Sequence, residues 1–129
     1  DNRWIHRPPM DWEAAARRHD TGSVEGRVHA GLRAQIEARR DLPVMRAGGA
    51  TSVRWTGHPS VFAWRRTHPR HLPFLGLAAF SDEPTSVPLP VAADAGLQDP
   101  VPVLASDGDV RIDDGRIHLP AWGWVWLSD

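Results

Sequence analysis

Residues 61–80 read Val61-Phe62-Ala63-Trp64-Arg65-Arg66-Thr67-His68-Pro69-Arg70-His71-Leu72-Pro73-Phe74-Leu75-Gly76-Leu77-Ala78-Ala79-Phe80. Two runs of β-branched, aromatic and aliphatic side chains, Val61 to Arg66 and Phe74 to Phe80, flank the segment from His68 to Pro73. The prolines of that segment resist a helix, so the stretch predicts two strands joined by a solvated hairpin loop.

The same grammar extends outward. Short runs at Thr51 to Trp55, Val87 to Val91, Val101 to Leu104, Val110 to Ile112, Arg116 to Leu119 and Trp122 to Leu127 read as further strands. Turns are signalled at Gly57 to Ser60, at Ser106 to Asp109 and at Asp114-Gly115, which suits a two-residue hairpin loop needing positive φ. Neighbouring strands should therefore pair antiparallel. Pro73, Pro88, Pro90, Pro102 and Pro120 cannot donate to a ladder, which places their runs at sheet edges or strand starts. The expectation is an antiparallel β-sandwich, so the chain is mainly β.

Before residue 45 the pattern is helical. Val24, Val28, Leu32 and Ile36 recur every fourth position and predict an amphipathic helix from about Ser23 to Arg40. Ser23 can cap its start, Arg39 and Arg40 suit its negative end, and Pro43 prevents continuation. A shorter helix, from Asp11 to His19, follows Pro8 and Pro9 and ends before Gly22. Two helices without a sheet cannot close a core.

Composition narrows the function classes. A chain of 129 residues suits one domain or a piece of something larger, and a domain of about this size can bury roughly 68% of its unfolded surface. The absence of cysteine excludes disulfides and thiolate metal sites. All 15 basic residues are arginine, yet a formal charge of −1 gives no broad positive field, so no nucleic-acid partner is expected. No apolar run approaches the roughly 18 residues of a membrane span, so no membrane partner is expected either.

Candidate chemistry is sparse. Asp107 and Asp109 flank Gly108, and Asp113 and Asp114 precede Gly115, which is turn chemistry rather than a catalytic pair. Asp82 and Glu83 before Pro84 read the same way. His58, His68 and His71 do not have zinc-ligand spacing, so neither metal nor cofactor is expected. Trp122, Trp124 and Trp126 alternate and should share one face of a strand, either stacking on sugar rings or packing inside; burial is the favoured reading, with Trp55 and Trp64 joining a core.

The first twelve residues interleave charged, aromatic and proline side chains with no regular period, as a structured loop does. Asp1-Asn2-Arg3-Trp4, His6-Arg7-Pro8 and Pro9-Met10-Asp11-Trp12 resemble the loop after the eighth barrel strand of amylosucrases, in the α-amylase superfamily. Gly26-Arg27-Val28, Gly31-Leu32-Arg33, Arg39-Arg40 and Pro43 resemble that family's last barrel helix, and Trp124-Val125-Trp126-Leu127 its closing strand.

The resemblance implies that residues 1–45 end a catalytic (β/α)8 barrel and that residues 46–129 form a C-terminal antiparallel β-sandwich. It implies a retaining glucosyltransferase that cleaves sucrose, releases fructose and transfers glucose to an α-1,4-glucan, or a closely similar sucrose hydrolase. That chemistry needs two carboxyl groups about 5 to 5.5 Å apart, and in this family both lie upstream. The partners implied are sucrose, the α-glucan acceptor and the rest of the barrel. The one pocket residue carried over is Arg3, whose family counterpart pairs with an aspartate and contacts the glucosyl unit. The rival expectation is a free-standing carbohydrate-binding β-module using the tryptophan row.

Overall fold

The computed structural model describes residues 9–106 and 108–129. It is mainly antiparallel β with few helices, as expected. The chain forms two compact units, Asp1–Glu37 and Ala38–Asp129.

In the first unit, helix α1 (Trp12–Ala16) continues into a 3-10 turn, Arg17–His19. Asp11 caps α1 by accepting from the Ala14 backbone N–H at 2.9 Å. Helix α2 (Val24–Asp41), whose last residues from Ala38 onward belong to the second unit, begins at Ser23, whose hydroxyl accepts from the Gly26 N–H at 2.9 Å and donates to the Asp20 carbonyl at 2.7 Å. Gly26 is obligatory there: a Cβ would fall 1.8 Å from the Asp20 oxygen. Arg17 and Glu25 pair across the turn, which holds the Glu25 carboxyl below its ordinary range. The apolar stripe of α2 faces solvent, with Val24, Val28, Leu32 and Ile36 exposed by 63, 56, 55 and 59%.

The second unit holds eight strands: β1 (Ala50–Arg54), β2 (Val61–His68), β3 (His71–Ala79), β4 (Thr85–Pro88), β5 (Val101–Ala105), β6 (Arg111–Asp113), β7 (Arg116–Leu119) and β8 (Trp124–Ser128). They form a five-stranded sheet in the order β1-β2-β3-β8-β5 and a three-stranded sheet in the order β4-β7-β6, with antiparallel pairing throughout. The period-2 alternation sends Val61, Ala63, Leu75, Leu77, Val125 and Leu127 to one face of the larger sheet. They pack against Val87, Ile117 and Leu119 of the smaller sheet in one buried cluster. Val91, Ala92, Ala95 and Leu97 close that core.

A second cluster lies on the opposite face of the larger sheet, where Leu42 and Val44 cover the fully buried Phe74. Arg66 fixes this segment. Its Nε donates to the Val44 carbonyl at 2.9 Å, one terminal nitrogen to the Arg46 carbonyl at 2.8 Å, and the other to Thr51 Oγ1 at 3.0 Å.

Four expectations need correction. The run from Val87 to Val91 is not one strand: β4 ends at Pro88, and Pro90 opens a short helix α3 (Pro90–Asp94), because its fixed φ suits a first helical turn. Pro73 lies within the central strand β3, where a register irregularity between Arg66 and His68 and the end of pairing with β8 at Phe74 remove the need for its N–H. The β2–β3 loop is only Pro69-Arg70, so His68 and His71 face each other as a strand pair. Trp122 is outside β8: it sits in a turn at φ 55° and is 64% exposed. The Asp114-Gly115 turn has the expected positive φ at both residues, 47° and 71°.

Candidate functional site

The outward face of the larger sheet carries an aromatic surface. The register aligns Val53, Trp64, Gly76, Trp126 and Leu104 across its five strands. Gly76 leaves room for the Trp64 indole to lie on the sheet: an added Cβ would come within 2.2 Å of two of its ring atoms. Phe62 is nearly parallel to Trp64, at 20° with centroids 6.0 Å apart. Phe74 joins Trp64 at 5.8 Å and meets Trp126 edge-on at 5.6 Å, and Trp124 lies 6.2 Å from Trp126.

Each aromatic position follows from alternation, since Trp64, Trp124 and Trp126 occupy the positions between core residues. Trp124 and Trp126 do share one face, but they are half-buried rather than packed in the sandwich interior. Trp64 packs beside the second cluster, whereas Trp55 is 74% exposed and joins no core. Trp55 follows the end of β1, an edge strand whose own residues are mostly exposed. The surface can offer ring faces for stacking, and its aromatic residues supply no acid or base.

A cleft of about 410 Å³ opens on the smaller sheet, where Thr85, Ser86, Asp109, Arg111 and His118 meet Pro84, Leu119 and Pro120. Arg111 pairs with Asp109 and, at 2.8 Å, with Asp113, whose other oxygen lies 2.7 Å from His118 Nε2. Two of the turn aspartates thus hold one guanidinium and are not a free acid/base pair. Sequence reasoning did not bring these groups together. Counting outward from the Asp114-Gly115 turn would have done so, because Arg111 and His118 are direct partners in the ladder.

His68 and His71 stack with centroids 4.5 Å apart, and burial, with His68, Arg46 and Arg70 nearby, lowers the His71 pKa below its ordinary 6.5. Among the described residues no group of three or more potential ligands could hold a metal. No helix among them is long and apolar enough to cross a membrane. Arg3, with Asn2 and Trp4, lies outside the described residues.

No protein-family model matches the chain, and no curated protein sequence does. Solved structures do. An isomaltulose synthase variant from Erwinia rhapontici NX5, in complex with D-glucose, is 20% identical with a TM-score of 0.56, over 74% of this chain and 16% of that one. A variant of MutB in complex with sucrose is 19% identical with a TM-score of 0.58, over 78% and 17%. A further variant of the trehalulose synthase MutB is 18% identical with a TM-score of 0.60, over 78% and 18%. These matches establish the fold. The chain spans about a sixth of the length of these structures.

Proposed function

We propose that this chain is the C-terminal part of an amylosucrase-like retaining glucosyltransferase of the α-amylase superfamily, cleaving sucrose and passing glucose to an α-1,4-glucan with release of fructose. The observation that carries the reading is the shared sandwich fold with much longer enzymes solved with sucrose or glucose. The residues from Asp1 to Trp12 supply the finer choice of amylosucrase or close sucrose hydrolase.

In this reading residues 1–45 complete a catalytic barrel and residues 46–129 form the domain that follows it. The solvent-facing stripe of α2 fits that assignment, because a barrel helix buries such a stripe against its neighbours. Arg3 closes the glucosyl pocket: its planar fork can hold an aspartate and still donate to a sugar hydroxyl, which a lysine cannot do in one geometry. The nucleophile and the acid/base belong to the preceding barrel, so residues 1–129 alone release no fructose from sucrose.

Steady-state kinetics of the full-length protein test this. Sucrose turnover is expected to be retained in the parent and lost by roughly a hundredfold or more in kcat/KM in Arg3→Ala, about the loss of a charged hydrogen-bond pair. Fructose release by residues 1–129 alone, or an Arg3→Ala enzyme with parental kcat/KM, would overturn the proposal.

The partly exposed aromatic surface, with Phe62 and the half-buried Trp64, Trp124 and Trp126, favours a second reading, a β-module that binds glucan by stacking. Saturable tryptophan fluorescence changes with maltooligosaccharides, abolished by Trp124→Ala, would support it.

A further inference from the structure

The two sheets end in the edge strands β1, β5, β4 and β6, and all but β1 are guarded. Pro102 and a register irregularity between Pro102 and Leu104 interrupt β5. Pro88 ends β4, and β6 is three residues long, with Arg111 and Asp113 alternating along it. Such features keep an edge from pairing with another chain. Strand β1, Ala50-Thr51-Ser52-Val53-Arg54, has none of them: it holds no proline, it pairs with β2 without an irregularity, and its one charge stands at its end.

The phase of the hydrogen bonds determines which groups this edge presents. Phe80 donates its N–H to the Ser60 carbonyl at 2.7 Å, in register with the β2–β3 ladder, so the hydrogen-bonded pairs there are Phe62 with Ala78 and Trp64 with Gly76. The intervening residues of β2, Ala63, Arg65 and Thr67, therefore bond to β1 through their partners Arg54, Ser52 and Ala50. This leaves the N–H and C=O of Thr51 and Val53 pointing away from the sheet, beside the exposed side chains of Val53 and Trp55.

An unguarded edge pairs with extended backbone that fits it, and β1 fits itself. Only an antiparallel register centred on Ser52 pairs two copies of the strand along its full length, with Thr51 facing Val53 and Ala50 facing Arg54 of the second copy. In that register the outward groups of Thr51 and Val53 form a hydrogen-bonded pair, exchanging both N–H···O bonds on each side of the dyad. Arg54 meets a small neutral residue, so no like charges are opposed. Further from the centre, Trp55 falls opposite Gly49, which has no side chain to obstruct it. We propose that β1 is a dimerisation edge, to which a second copy of this chain adds its own β1 antiparallel, making one continuous sheet. The edge takes no part in the proposed sugar chemistry.

Sedimentation velocity of the full chain over a concentration series tests this, together with a register-specific cross-link. A reversible dimer is expected, with a Kd on the order of 10 μM for a small, partly polar interface. It should survive Leu32→Glu with Ile36→Lys, which removes the exposed stripe of α2 as an alternative contact. Val53→Pro deletes an outward N–H that β2 does not use and should weaken the dimer by about tenfold or more. Val53→Lys leaves the backbone intact, sets two charges diagonally across the dyad and should weaken it too. Because the chain has no cysteine, Ser52→Cys introduces a single thiol, whose Cα would lie about 4.5 Å from its counterpart, within disulfide reach. It should cross-link on mild oxidation with diamide, whereas Ala50→Cys, about 14 Å from its counterpart, should not. A monomer at concentrations about tenfold above that Kd, loss of the dimer on changing the α2 stripe, parental dimer strength in either Val53 variant that remains folded by circular dichroism, or a Ser52→Cys chain that cross-links no better than Ala50→Cys would overturn the assignment.

Discussion

At the scale of single residues, two glycines do what no other residue could. Gly76→Ala would put a Cβ 2.2 Å from the Trp64 ring, so the indole must leave its place on the sheet. The expected cost is about 1 to 3 kcal/mol, the usual range for overpacking. Urea denaturation measures it, and a Gly76→Ala, Trp64→Leu double variant should recover part of the loss because the two sites share one contact. Gly26→Ala, where the obstacle is backbone rather than a movable ring, should open the turn joining α1 to α2, read as lost helical circular dichroism. His71 supplies a pH prediction. Its folded pKa is lowered, so above 6.5 the group is neutral in both states and costs nothing. As pH falls below 6.5 and through the folded value, the unfolded chain binds the proton more readily, and stability declines. Denaturant midpoints of the parent and His71→Gln should diverge in that window, with the variant less sensitive to acid.

At the scale of elements, caps and turns account for most of what could be read from the chain. Ser23 and Pro43 bracket α2, and Asp114-Gly115 alone fixes the β6–β7 ladder, so these were legible before any coordinates. Ser23→Ala should cost about 1 kcal/mol, the loss of one cap, measured as a lowered helical melting midpoint. Less could be read where one residue type serves two roles. Pro90 excludes a strand interior and opens a helix equally well, and only the burial of Val91 and Ala92 decides between them. The alternation of three tryptophans was real in the sequence, yet a turn at Trp122 removes the first from the strand. The site was less legible than the fold. Trp64 and Trp126 are far apart in the chain, and they flank Gly76 only through the register of β2, β3 and β8.

At the scale of the whole molecule, two apolar surfaces reach water: the exposed stripe on α2 and, in part, the half-buried aromatic face of the larger sheet. The stripe belongs to no buried cluster of the sandwich. Leu32→Glu with Ile36→Lys should therefore reduce self-association of residues 1–129, seen by analytical ultracentrifugation, while leaving the unfolding free energy of the sandwich within about 0.5 kcal/mol of the parent by urea denaturation. A different lesson comes from Arg66, whose side chain ties the backbone at Val44 and Arg46 to the sheet. It works as a splint, holding down a piece of chain too short to form a strand of its own. Without it, the peptide bonds around Leu42 would swing into reach of a protease, and Phe74 would be left wet beneath them.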